Sequence, residues 1–180
     1  MYNSSTNKQV IYSLNSLSNS LFYLLLDRDI NDITITEVCA NSDITRKTFY
    51  RNCEELIDLI NFRIDTEINE SIRNVNWQSH EPHNIVTSFY RYWLNKKSFL
   101  TILYKRNLFP RFSERFVARL SDNQEYLDIT KTVFDRLGPE KKEYYNSFIM
   151  GGGTQLMEKW TSRDFDLTPE ELCEIYLHFR

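Results

Sequence analysis

Apolar residues recur at three- and four-residue steps over residues 8–27, where Val10, Ile11, Leu14, Leu17, Leu21, Leu24 and Leu25 share one side of a helix. A polar break follows at Asp27-Arg28-Asp29-Ile30-Asn31-Asp32. Thr34-Ile35-Thr36-Glu37 then reads as a capping box, with Thr34 as N-cap and Glu37 reaching back from the third helical position. The spacing predicts a short helix from there to about Asn41-Ser42-Asp43. Thr45 is the next N-cap, opening Arg46-Lys47-Thr48-Phe49-Tyr50-Arg51. Asn52-Cys53-Glu54-Glu55 repeats the pattern of a cap followed by an acid, and starts a long helix. Its stripe is Ile57, Ile60, Ile64, Ile68, Ile72 and Val75. Periodicity is lost over residues 74–83, which include Pro82, so a connector belongs there. Helical patterns resume at about 84–96, 98–107, 112–136, 139–161 and 168–180. Leu137-Gly138-Pro139-Glu140 reads as a stop followed by a start, and Thr168-Pro169-Glu170-Glu171 as N-cap, proline at the first position and acid at the third.

Composition supports helices throughout. The 180 residues hold only four Gly and four Pro, too few for a turn-rich sheet fold. Only two Ala occur, Ala40 and Ala118, so apolar packing and not intrinsic propensity holds the helices. The chain is therefore expected to be all-α: an N-terminal three-helix domain over residues 1–54, then a C-terminal helical bundle over 55–180, with about nine helices. The longest apolar cluster, around Leu24-Leu25-Leu26, is too short to cross a bilayer, and the start of the chain has no apolar signal region. Cys39, Cys53 and Cys173 are odd in number and far apart, which fits free thiols in a reducing cytoplasm. The net charge of −3 gives no general reason to expect a polyanion partner.

The sharpest signal is ITITEVCANSDITRKTFYRNCEELIDLI, residues 33–60. It describes a short helix, a turn at Ser42-Asp43-Ile44 and a second short helix, with Val38, Ala40 and Phe49 meeting behind the turn. The second helix then projects Arg46, Lys47, Thr48, Tyr50 and Arg51, types that contact phosphates and base edges in a major groove. The start of that helix also favours a phosphate. This arrangement resembles the helix-turn-helix of TetR-family transcriptional regulators. Thr34, Val38, Cys39, Ile44, Thr45, Thr48, Phe49, Tyr50, Leu59 and Ile60 sit close to that family's pattern. The resemblance is specific over residues 10–60. A weaker likeness covers the end of the chain, where Phe148-Ile149-Met150-Gly151-Gly152-Gly153 through Trp160, then Thr168 to Leu172, resemble the last two family helices.

The resemblance implies a TetR-like fold and a homodimer on double-stranded DNA. Thr34, Thr45, Arg46, Lys47, Thr48, Tyr50 and Arg51 become the candidate DNA contacts, with Thr48 and Tyr50 at phosphates and Arg46 and Lys47 nearest base edges. Phe148, Gly152, Leu156, Trp160, Leu172 and Tyr176 become candidate dimer-interface residues. Tyr90, Trp93, Tyr104, Phe116, Tyr126 and Tyr145 are candidates to line an apolar ligand cavity. The family's usual Phe is Cys53 here and its usual phosphate-contacting Lys is Leu56, unless two residues are deleted. Residues 1–60 hold five Lys/Arg against eight Asp/Glu, whereas phosphate contacts supply much of protein–DNA affinity.

Other features admit plainer readings. Twenty of the 26 aromatics lie beyond residue 60, among them Phe99, Phe109, Phe112, Phe134 and Phe148; core packing accounts for most, and a cavity between helices for some. Gly151-Gly152-Gly153 is either a helix end or kink, or a place of close helix approach near the start of a dimer helix. His80-Glu81-Pro82-His83 reads as a loop with surface histidines. No zinc spacing, nucleophile motif or phosphate loop stands out, so neither metal, cofactor nor enzymatic activity is expected. The expected function is that of a cytoplasmic, ligand-responsive homodimeric repressor reading a palindrome with half-sites roughly 34 Å apart. The rival is a TetR-like interaction module that works through a partner protein with little DNA affinity of its own. A small-molecule effector belongs to the first reading, and neither involves a membrane.

Overall fold

The computed structural model of the chain describes residues 1–3, 7–79, 81–123, 126 and 136–178. All regular elements among them are helical. They fall into two compact units, Met1–Glu67 and Ile68–Arg180. The division lies inside one helix, thirteen residues beyond the 54/55 boundary the sequence suggests.

The first unit contains α1 (Lys8–Leu24), a 3-10 turn (Ile30–Asp32), α2 (Ile35–Ser42), α3 (Arg46–Asn52) and the first part of α4 (Leu56–Asn74). The Asn7 side chain caps α1 by accepting from Gln9 N at 2.8 Å. Leu14, Leu17, Leu21 and Leu25 are buried, as are Val38, Phe49, Leu59, Ile60 and Ile64, and α1 packs on α2 and α3. Buried serines let the helices approach closely. Ser20 Oγ donates to Val38 O at 3.0 Å and Ser18 Oγ to Leu59 O at 3.4 Å. The capping box of α2 forms as its sequence predicts: Glu37 N donates to Thr34 Oγ1, and Thr34 N to Glu37 Oε2.

Two local expectations change. Asn52 does not cap α4. It is the last residue of α3, buried, with its Nδ2 donating to Thr48 O at 3.0 Å. Asp58 satisfies the start of α4 instead, its Oδ2 accepting from Glu54 N at 2.9 Å and Glu55 N at 3.3 Å. Behind the turn, Cys39 and not Ala40 joins Val38 and Phe49, because the helix phase turns Ala40 outward.

The second unit holds the end of α4, then α5 (Pro82–Leu94), α6 (Lys97–Lys105), α7 (Phe109–Ser121), α8 (Pro139–Ser162) and α9 (Pro169–His178). Helix α8 packs on α6, α7 and α9, and α5 packs on α9. Trp93 centres the aromatic core, stacked on Phe99 at 6.1 Å and edge-on to Phe112 at 5.1 Å. Trp160 lies edge-on to Phe165 at 5.0 Å and donates through Nε1 to Leu167 O at 2.9 Å. The Thr168–Glu171 capping box opens α9 with Pro169 at its first position. Pro82 likewise starts α5, so His83 occupies a first helical turn and not a loop. Of the pattern expected over 112–136, α7 starts earlier at Phe109 and ends at Ser121, while Tyr126 and residue 136 are again helical. Residues 127–135, with Phe134, and His80 lie outside the described residues.

Candidate functional site

The turn between α2 and α3 is built from local hydrogen bonds. Ser42 Oγ donates to Val38 O at 2.8 Å, and Ile44 N donates to Cys39 O at 3.2 Å. Asp43, between them, adopts the left-handed conformation with φ 54°. Thr45 then caps α3, its Oγ1 accepting from Thr48 N at 3.2 Å and lying 3.1 Å from Thr48 Oγ1. Fully buried Phe49 anchors the helix from beneath.

That anchor fixes what α3 presents. Thr45, Arg46, Lys47 and Arg51 are exposed, Thr48 is half-buried, and Tyr50 is 53% exposed with its ring edge-on to Phe49. Among the described residues, Arg46, Lys47 and Arg51 form no salt bridge, so their charges face outward uncompensated. Thr34, at the start of α2, is also exposed. Arg28, by contrast, is held by Glu37, its Nη1 lying 2.8 Å from Glu37 Oε1. The Arg28 hydrogen bond, with two more from Thr34, pulls the Glu37 carboxyl down to about 2. One further support has no signal in the local pattern of residues: Asn3 N donates to Asn52 O at 2.7 Å, fastening Asn3 to the end of α3.

The second unit encloses a cavity of about 470 Å³, within the usual range for small-molecule sites. The end of α4 contributes Ser71, Ile72 and Val75, and α5 contributes Ile85, Val86, Phe89 and Tyr90. Phe116 and Leu120 of α7 close another side, and Tyr145, Ile149, Met150 and Gly153 of α8 the floor. Four of the six expected lining aromatics, Tyr90, Phe116, Tyr126 and Tyr145, come together here. Trp93 and Tyr104 do not. Trp93 is sealed in the aromatic core, and Tyr104 points outward from α6, 42% exposed. Tyr126 Oη donates to Asn146 Oδ1 at 2.8 Å, fixing one wall to α8. The aliphatic lining and the connector residues Trp77, Gln78 and Ser79 were not anticipated, since nothing in their local pattern separates cavity wall from core.

The triple glycine lies in the middle of α8, at neither its start nor its end, because the helix runs unbroken through it. Its members face different ways. A Cβ on Gly153 would meet the Tyr176 ring at 3.3 Å, whereas Gly151 and Gly152 have nothing within 4 Å. Gly152 continues an exposed stripe with Tyr144, 78% exposed, and Phe148, 67% exposed. Of the other residues expected at a dimer face, Leu156 is half-buried, while Trp160 and Leu172 belong to the core of the unit. Tyr176 lines the cavity, with its Oη donating to Ile149 O at 3.1 Å.

Burial raises the thiols of Cys39, Cys53 and Cys173, Cys53 to about 12. Among the described residues no group of His, Cys, Asp and Glu is placed to hold a metal ion, and no helix is long and apolar enough to cross a membrane.

Comparison with known proteins adds a family. A search of curated proteins gives no match. The family profile of the TetR-type transcriptional regulator C-terminal region matches residues 80–179, which span α5 to α9 and most of the cavity wall. That match covers more than half of the chain, and the all-helical architecture agrees with it. The chain belongs to the TetR family of transcriptional regulators.

Proposed function

We propose that this regulator is a homodimeric, ligand-responsive repressor of the cytoplasm that reads a palindromic operator in duplex DNA and catalyses no reaction. The observation that carries the proposal is the outward face of α3, where three cations stand unpaired among the described residues beside an exposed Tyr50. A face of this kind suits the major groove, with Arg46 and Lys47 at base edges and Thr48, Tyr50 and Arg51 at phosphates. Residues 1–54 would read DNA and residues 55–180 would dimerise and respond. Helix α4 belongs to both units, with Ile60 and Ile64 in the first core and Ile72 and Val75 on the cavity wall, so a ligand there acts on an element shared with the reading domain. It changes DNA affinity only so far as it binds the two conformations unequally. The exposed stripe of α8 would meet its counterpart on a second copy.

A second reading is kept by the charge balance. Five basic against eight acidic residues over 1–60 favour a module that acts through a partner protein. Selecting binding sites from a random duplex library, at low and near-physiological salt, separates the two. Recovery of a palindrome supports the repressor, and Tyr50→Ala should then lower operator affinity by roughly tenfold, the loss of one good contact. No enriched site at either salt, from folded dimeric protein, favours the partner-dependent module.

A further inference from the structure

Helix α3 has seven residues, too few to hold a direction of its own, so whatever grips it sets where it points. Thr45 caps its first end and buried Phe49 anchors its middle. Its last end is gripped from outside the helix-turn-helix. Asn3 N donates to Asn52 O at 2.7 Å, and Asn3 Nδ2 to Asn52 Oδ1 at 3.3 Å. The last carbonyls of a helix have no donor within it, and the Asn3 amide fills that place for Asn52. Asn52 is 2% exposed and carries the grip back along the helix, its Nδ2 donating to Thr48 O at 3.0 Å. The tie is therefore made on the face of α3 turned into the protein, away from exposed Arg46 and Lys47. The neighbouring Tyr2 fastens the other side of the tie to α4. Its ring meets the Phe62 ring edge-on at 5.6 Å, and its Oη donates to Oδ2 of buried Asp65. All of these groups belong to the first unit.

The geometry points to Tyr2 and Asn3 as positioning residues that tie the last turn of α3 to α4 at the angle base reading needs. This rests on the reading above that α3 enters the groove. Long cationic side chains follow a phosphate backbone even from a turned helix, whereas a base edge is met in one orientation. Loosening the tie therefore costs affinity for the operator and leaves binding to unrelated duplex as it was.

Titration of the full chain and its variants tests this, on a palindrome selected from the random library and on an unrelated duplex of the same length. Asn3→Pro removes the amide that reaches Asn52 O. It should lower operator affinity by about tenfold, while binding to unrelated duplex stays within about twofold. Asn3→Ala keeps that amide and should hold operator affinity to within about threefold. Should Asn3→Pro lose helix content, Tyr2→Phe decides in its place. It gives up only the hydroxyl at Asp65, and its expected operator loss is about threefold. Unchanged operator affinity in the folded variant overturns the positioning role and leaves α3 as the reading helix. An equal loss on both duplexes also overturns it, since residues 2 and 3 would then touch the DNA backbone themselves. A parent that enriches no palindrome overturns the reading on which the role rests.

Discussion

Asp43 is where a single side chain holds the reading turn in an uncomfortable shape. Its φ of 54° lies in the left-handed region that glycine enters at least cost. Asp43→Gly should therefore stabilise the protein by about 1 kcal/mol in urea unfolding. It also removes an exposed acid two residues before the Thr45 cap, so operator affinity should rise as well. A stability gain with no change in DNA binding would separate the backbone effect from the charge effect. Glu37 supports the same turn from the other end of α2. Its folded carboxyl sits near 2, below the ordinary ~4.3 of an unfolded chain, so it stabilises the fold fully above that value. The contribution drains away as pH falls from about 4.3 toward 2. Melting curves of the parent and Glu37→Gln should differ at pH 6 and converge near pH 2, and a gap that persists there would show that Glu37 acts through shape and not charge. Both capping boxes and the Thr45 cap were legible in the sequence, because a cap is a three-residue relation. The start of α4 was not: Asn52, the expected cap, is the last residue of α3 and donates to Thr48 O, while Asp58 inside α4 accepts from the leading amides of Glu54 and Glu55.

At the scale of elements, α8 does two tasks with opposite faces. Tyr145, Ile149, Met150 and Gly153 line the cavity, while Tyr144, Phe148 and Gly152 are turned away from the unit's core. That double use explains what the sequence showed and hid. A helix apolar on two sides has no single stripe, so its pattern identifies the helix without assigning its faces. The family resemblance put Trp160 and Leu172 among the interface candidates, and in the structure both are buried in the core of the unit. The aromatics were legible as core plus cavity, but only the fold separates Trp93 from Tyr90, three residues and most of one helical turn apart. The faces also make a sharp test. Gly152→Leu adds bulk where nothing lies within 4 Å, so the subunit should fold with unchanged helix content. In sedimentation the same variant should be monomeric if this stripe is the dimer interface. Gly153→Leu is the contrasting variant, since its side chain meets the Tyr176 ring and should lower the melting temperature and block the cavity.

For the molecule as a whole, the question is how a chain of net charge −3 holds a polyanion. The acidic balance of residues 1–60 makes long-range attraction weak, so affinity must come from the few cations that α3 places close to the groove. If each cation that α3 brings into the groove, Arg51 at a phosphate and Arg46 and Lys47 beside the base edges, displaces one condensed counterion, log affinity should fall with log salt at a slope of about −2.7 per half-site. Two half-sites bound together should double it, to about −5.4. The slope therefore reports dimerisation and DNA contact in one experiment. The parent should show the steeper value on a palindrome, and Gly152→Leu the shallower one on the same DNA. Arg51→Ala should flatten the parent slope by about two, one lost phosphate contact in each subunit. Equal slopes for parent and Gly152→Leu would mean that the subunits read DNA independently, and the α8 stripe would then serve some other contact. A flat slope in both would mean that α3 does not engage the phosphates, which leaves the charge-poor reading domain to a protein partner.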